Sequence, residues 1–287
     1  MGSIVKLSLI PFYPEGRKMS FSQRDQKILS DLGKARVSHR DLKELLDFYE
    51  GLFRAQFAFK SRLKASGKAG EVNPTRLANG LPQITFEELN MPATSFLDLY
   101  RTVIRLLIPY AGSIDGVETE PSPEQIIEWA REVFLSGGPL VISGATGNGA
   151  RTAAGFVLAP YLQLACDLIL PRIPLDSWHR GYCPICAGMP AFAALTSESG
   201  PRTLLCPRCH GEWSYGRIGC PFCKATDSQT YYSDQGGRYR LYVCEVCHRY
   251  LKTLDARERN MDLCLPVECL VTVSMDIAAQ EKGFKPY

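Results

Sequence analysis

From about residue 20 to residue 170, apolar residues recur every three or four positions, the period of helices that bury one face. Leu42, Leu45, Leu46, Tyr49, Leu52, Phe53, Gln56 and Phe57 form one such stripe with Lys and Arg on the opposite side, and predict a helix running on to Leu63. Ser22 with Asp25 three positions later, and Ser38 with Asp41, have the form of weak N-caps. Ser122-Pro123-Glu124-Gln125 is a stronger start, combining a capping hydroxyl, a first-turn proline and a capping-box glutamine. Ser95 to Ile108 is apolar almost all round and predicts a buried helix. Ala153 to Leu170 is mostly apolar but interrupted by Pro160, Gln163 and Asp167. A membrane span needs about 20 predominantly apolar residues, so this stretch predicts a bundle's core helix, with Cys166 as a small buried hydrophobe and no membrane insertion. Residues 66–82 read as a mobile loop.

Beyond Trp178 the helical period stops. Pro171 to Trp178 reads as a linker. Short stretches of alternating character follow, such as Tyr239-Arg240-Leu241-Tyr242-Val243, and Val271 to Ala279 predicts a short helix packing back on the body. The expected class is α+β: an all-α domain over 1–178 including the linker, two metal modules at 179–216 and 217–257, and a tail at 258–287.

The modules rest on four Cys-x-x-Cys pairs: Cys183/Cys186, Cys206/Cys209, Cys220/Cys223 and Cys244/Cys247. Two cysteines three apart at a turn can aim both sulfurs at one ion, so each pair is half of a tetrahedral site. The gaps of 19 residues (Cys186 to Cys206) and 20 residues (Cys223 to Cys244) are those of four-cysteine metal sites. The halves repeat each other. Cys183-Pro184-Ile185-Cys186 aligns with Cys220-Pro221-Phe222-Cys223, and Cys209-His210 with Cys247-His248, at offsets of 37 and 38. A duplication favours sequential grouping, the first two pairs on one ion and the last two on another. The cross-braced scheme, first pair with third and second with fourth, is the alternative. Copies of about 40 residues bury too little apolar surface to fold unaided, and a metal would replace the missing core.

Charge and the remaining motifs narrow the reading. The chain carries a net +3, which calls for neither nucleic acid nor membrane. From His179 to Arg257, ten Lys/Arg face six Asp/Glu. Eight thiolates around two divalent ions would offset that surplus, with Arg208, Lys224 and Arg249 nearest the sulfurs, and this opposes a zinc-ribbon nucleic-acid binder. Eight of the eleven cysteines sit in the pairs, and Cys166, Cys264 and Cys269 are packing residues rather than a disulfide framework. Gly144 to Thr152 has the glycine spacing of a phosphate loop, but Ala150 and Arg151 stand where Lys and Ser/Thr are needed, so a glycine-rich turn is the better reading. Cys-x-x-Cys-His at His210 and His248 is the string of c-type haem attachment. Haem would strand the other four cysteines, so the histidines read as groups beside the metal sites or on the surface. His39 reads as solvated, and no constellation for hydrolysis or group transfer stands out, so an enzyme is not expected. Met1 to Pro14 lacks the form of a signal peptide, and Lys6 stands where a myristoylation motif wants Ser or Thr. The expected location is cytoplasmic.

The four pairs in tandem, Gly188 and Gly211 beside two of them, the helical first half and the ending Asp276-Ile277-Ala278-Ala279-Gln280-Glu281-Lys282-Gly283-Phe284 resemble the formate dehydrogenase accessory proteins called FdhE. The resemblance is specific over 181–287. It implies two rubredoxin-like modules, each binding iron or zinc through four cysteines. It also implies a non-catalytic cytoplasmic factor that binds the catalytic subunit of formate dehydrogenase and serves its assembly and maturation. Rubredoxin knuckles place glycine after the second cysteine, where positive φ is wanted; here Ala187, His210, Lys224 and His248 occupy those places, which leaves iron and zinc both open. A rubredoxin-like electron-transfer protein is the other reading of the same sites.

Overall fold

A computed structural model describes residues 21–63, 70–111, 121–138, 149–198, 200–226, 229–257 and 262–286. The N-terminal apolar run, Leu140 to Ser143 and most of the glycine-rich turn lie outside the described residues.

The first half is a helical bundle: α1 (Gln23–Ser38), α2 (Lys43–Lys60), a short α3 (Pro74–Ala78), α4 (Ala93–Ala111), α5 (Pro123–Ser136) and α6 (Gly149–Ile169). α6 is its axis, packed against α2, α4 and α5. It is long and apolar enough to span a membrane by composition, yet most of it is buried in the protein. Pro160 inside it supplies no N–H to the Phe156 carbonyl, four residues back. The buried Gln56 of α2 donates to that carbonyl instead at 2.8 Å, satisfying the orphan. Gln56, counted within the apolar stripe of α2, is therefore there for hydrogen bonding. A second polar tie crosses the bundle: Lys60 Nζ lies 2.7 Å from both Asp25 of α1 and Asp167 of α6.

The caps divide. Ser22 Oγ accepts from Asp25 N at 3.2 Å and Ser122 Oγ from Gln125 N at 3.3 Å, as expected. Ser38 caps nothing; it is the last residue of α1, its hydroxyl donates back to the Lys34 and Ala35 carbonyls, and a 3-10 turn over Arg40–Leu42 precedes α2. α4 is not buried all round. Phe96, Leu99, Tyr100, Val103 and Leu107 form its buried stripe, while Arg101, Arg105, Ile108 and Tyr110 face out. Within residues 66–82, α3 is capped by Asn73, whose Oδ1 accepts from Arg76 N. Pro171 to Trp178 carries two 3-10 turns and places Ile173 and Trp178 in the core.

In the second half, among the described residues, β1 (Phe192–Leu195), β2 (Arg202–Leu205), β3 (Glu212–Tyr215), β4 (Gln229–Ser233), β5 (Tyr239–Cys244) and β6 (Arg249–Asp255) form one sheet in the order β3-β2-β1-β6-β5-β4. Each repeat contributes an antiparallel meander. The meanders join head to tail through a parallel pairing in which Phe192 to Leu195 of β1 face Lys252 to Asp255 of β6. The free lower part of β6 is met by the tail, where Lys285 N donates to His248 O (2.7 Å) and Tyr250 N to Lys285 O (3.1 Å). Two helices, α7 (Leu265–Val271) and α8 (Val273–Glu281), pack back on the body as the sequence implies, against α1, β1 and β6. One hydrophobic cluster runs from the helices through Trp178, Cys183, Cys186, Cys206, Cys209 and Trp213, so the first cysteine module is continuous with the helical core. Two smaller clusters lie beyond it, one around Leu254 shared with Phe192, Ala194 and Leu205 of the first module, and one around Tyr250 and Phe284 in the second.

Candidate metal centres

The eight paired cysteines come together as two groups of four, Cys183, Cys186, Cys206 and Cys209, and Cys220, Cys223, Cys244 and Cys247. Grouping is sequential, as the duplication favours. In each repeat one pair lies on the loop before the first strand and the other at the turn between the second and third strands. Sulfur separations are 3.5 Å (Cys183 to Cys209) and 3.6 Å (Cys186 to Cys206) in the first group. They are 3.7 Å (Cys220 to Cys247) and 3.6 Å (Cys223 to Cys244) in the second. A tetrahedral ion with bonds of about 2.3 Å to sulfur has sulfur–sulfur edges of about 3.8 Å. The donor set and spacing fit such an ion, and the distances exclude disulfides.

The knuckles keep the backbone form that glycine usually supplies. Ala187, His210, Lys224 and His248 have φ of 57°, 59°, 68° and 53°. In each, the N–H donates back to the carbonyl of the first cysteine: Ala187 to Cys183, His210 to Cys206, Lys224 to Cys220 and His248 to Cys244, at 2.8–3.0 Å. Four non-glycine residues in a left-handed conformation, each costing about 1 kcal/mol or more, hold because the turn closes onto the sulfurs.

Burial separates the two groups. Cys183, Cys186, Cys206 and Cys209 are at most 1% exposed, whereas Cys223 is exposed and Cys247 half-buried. Gln83 N and Ile84 N donate to the Pro184 and Ile185 carbonyls of the first knuckle (2.8 and 3.1 Å), Phe53 of α2 meets the His210 ring edge-on, and Arg24 of α1 donates to the His210 carbonyl. Burial, with the Arg24 and Lys60 charges, holds the His210 imidazole well below its usual range, hence neutral. In the first group, burial pushes the Cys183 and Cys209 thiols up, while hydrogen bonds from Cys183, Cys206 and Cys209 hold Cys186 well below the ordinary thiol range. Burial likewise raises Cys220 and Cys247.

The outlying cysteines are not ligands by position. Cys264 is buried and pushed up to about 11 by that burial, and Cys269, on α7, is half-buried. Cys166 is buried as expected, and it also borders the first group: a Cβ on Gly211 would stand 3.1 Å from Cys166 Sγ and 3.2 Å from Cys209 Sγ. Gly211 is there for close approach, which its place two residues after a cysteine signalled. His39 is the half-buried C-cap of α1, and His179 is exposed.

A helical body continuous with two tandem four-cysteine ribbons on one shared sheet defines an α+β protein of the metal-module class. No family model matches the chain. It is 29% identical over 110 residues to an FdhE homologue of Pectobacterium carotovorum, covering 37% of this chain and 35% of that protein. It is 32% identical over 107 residues to an FdhE homologue of Pasteurella multocida, covering 36% and 34%. The match thus spans about a third of the length of these curated relatives. The crystal structure of the FdhE protein from Pseudomonas aeruginosa superposes over 91% of both chains with a TM-score of 0.60, at 23% identity, and shows the same fold. Over about a third of its length the chain is thus similar to FdhE homologues, and its fold is that of the FdhE crystal structure.

Proposed function

We propose that this protein is a non-catalytic, cytoplasmic accessory factor that binds the catalytic subunit of formate dehydrogenase and serves its assembly and maturation. In this reading Cys183, Cys186, Cys206 and Cys209 hold one iron or zinc ion, and Cys220, Cys223, Cys244 and Cys247 a second. The observation that supports it best is the pairing of FdhE relatives with two closed four-thiol clusters. A site saturated by four thiolates keeps no open position for substrate or water, so its value lies in the surface it holds in shape. The test is co-purification: the full-length chain and the formate dehydrogenase catalytic subunit, produced together, should elute as one complex. Elution of two separate proteins at micromolar concentration overturns the proposal.

Exposure of Cys223 supports a second reading, rubredoxin-type electron transfer at the outer cluster. It requires iron there. Two zinc ions per chain in protein purified without added metal would remove it, because zinc has no accessible redox change.

A further inference from the structure

We propose that Arg208 is the built-in counter-ion of the first cysteine cluster, and that through Phe134 it couples loading of that cluster to the docking of helix α5. The inference rests on the reading of the cluster as a metal site. Arg208, between Cys206 and Cys209, is 0% exposed, and its Nε, Nη1 and Nη2 all lack a hydrogen-bond partner. A guanidinium does not lose its proton in a protein, and an isolated charge in the interior is strongly unfavourable.

The other buried cations are satisfied differently. Lys60 has two carboxylates, Lys252 has Asp276 and the Cys269 carbonyl, and Arg202 donates to the Gly219 carbonyl. Only Arg208, among the buried cations of the described residues, has no such bond.

Among the described residues, two neighbours can oppose its charge. On one side the Phe134 ring, in the last turn of α5, offers its negative face with the guanidinium carbon 5.1 Å from the centroid. On the other are the sulfurs: a Cβ on Gly188 would stand 2.7 Å from Cys206 Sγ and 2.9 Å from Arg208 Cδ, so all three meet at one point. Four protonated thiols carry no charge to oppose a cation. Four thiolates around a divalent ion carry a net charge of about −2, which acts over distance without a directed hydrogen bond.

The repeat supplies an internal comparison. Val246 stands at the position equivalent to Arg208 in the second module and is 63% exposed. A cluster open to water needs no counter-ion. The α5 contact continues at the helix end, where Met189 N, just past the first knuckle, donates to Gly137 O at 3.0 Å.

The test uses the full-length chain with Co2+ as the probe. Binding is followed by the thiolate-to-Co2+ charge-transfer band, the two clusters are told apart with Cys223→Ser, and α5 is followed by amide hydrogen exchange over Pro123–Ser136. Arg208→Met should weaken the first cluster at least tenfold and leave the second within twofold, and Arg208→Lys should recover most of the loss. Removing Co2+ from the wild-type protein should speed exchange in α5. Binding by Arg208→Met within twofold of wild type at the first cluster, equal losses at both clusters, or α5 exchange indifferent to Co2+ overturns the inference alone. A wild-type chain that gives no charge-transfer band overturns the metal reading and the inference with it.

Discussion

The two clusters should release their ions on separate timescales, and the difference can be worked from what covers them. A chelator must reach a sulfur. At the second cluster Cys223 is already exposed, so no opening is needed. At the first, no cysteine is more than 1% exposed, and the knuckle is covered by Ile84 and, through Arg208, by Phe134. Ile84 is fully buried and Phe134 partly, so undocking costs about 1.5–3 kcal/mol for the first and less for the second, about 3–5 kcal/mol together. At about 1.4 kcal/mol per factor of ten, the open form of the first cluster is populated about 10²- to 10⁴-fold less than the closed one. Zinc-loaded protein mixed with an excess of a chromogenic chelator should therefore give up one equivalent fast and the other at least 100-fold more slowly. Cys223→Ser should abolish the fast phase and leave the slow one. Loss of both ions in a single phase, or a fast phase that survives Cys223→Ser, would refute the reasoning.

Three further outcomes follow from the packing. Lys60→Met leaves Asp25 buried without its cation and should destabilise the protein by about 3–5 kcal/mol in chemical denaturation; a loss under 1 kcal/mol would mean Asp25 is satisfied some other way. Gly181→Ala would place a Cβ 1.8 Å from the Pro221 carbonyl oxygen, where the modules touch, and relieving that clash should cost about 1–3 kcal/mol; an unchanged urea midpoint would show that the modules part freely. Asp255, hydrogen-bonded to Arg257 and beside Arg240, has its carboxyl held below the usual range. Its folded value lies under its unfolded one, so its contribution is full above about pH 4 and is lost as pH falls through the folded value. Asp255→Asn should flatten the acid limb of a stability–pH curve, and an identical limb would count against the ion pair.

Much of this architecture is legible in the sequence because its signals are local. The pairs, their spacing and their repetition give the sequential groups, and the long, mostly apolar run of α6 gives the bundle axis. Ser122-Pro123 marks a helix start because cap and first-turn proline act within four residues. Ser38 misled because the same hydroxyl can cap a helix ahead or bond back into the one behind, and the choice depends on where Leu42 and Leu46 are drawn into the core. The polar face of α4 is hard to see in the sequence because Arg101 and Arg105, four apart, align on one face that a run of apolar neighbours hides. The parallel pairing of β1 with β6 was out of reach, since it joins residues about 60 apart through a short Phe-Ala-Ala-Leu segment that has no strand signature. The unequal burial of two matching cysteine groups depends on the helical body, which lies outside both motifs. One residue did carry a sign of it: arginine between Cys206 and Cys209 against valine between Cys244 and Cys247.

His210 and His248 occupy the same place in the two copies, each with φ above 50° just after a cysteine pair. That posture throws the side chain away from the sulfurs and toward whatever lies on the outside of the knuckle. In the first copy the ring meets Phe53 of the helical body at 5.5 Å; in the second it meets Phe284 of the tail at 6.3 Å. After the duplication, then, one residue position became a socket used twice, once by the bundle of more than a hundred residues and once by a few residues at the far end. The tail is the second module's small substitute for the helical body, and the difference in size between these two lids explains why one knuckle faces the interior and the other the solvent.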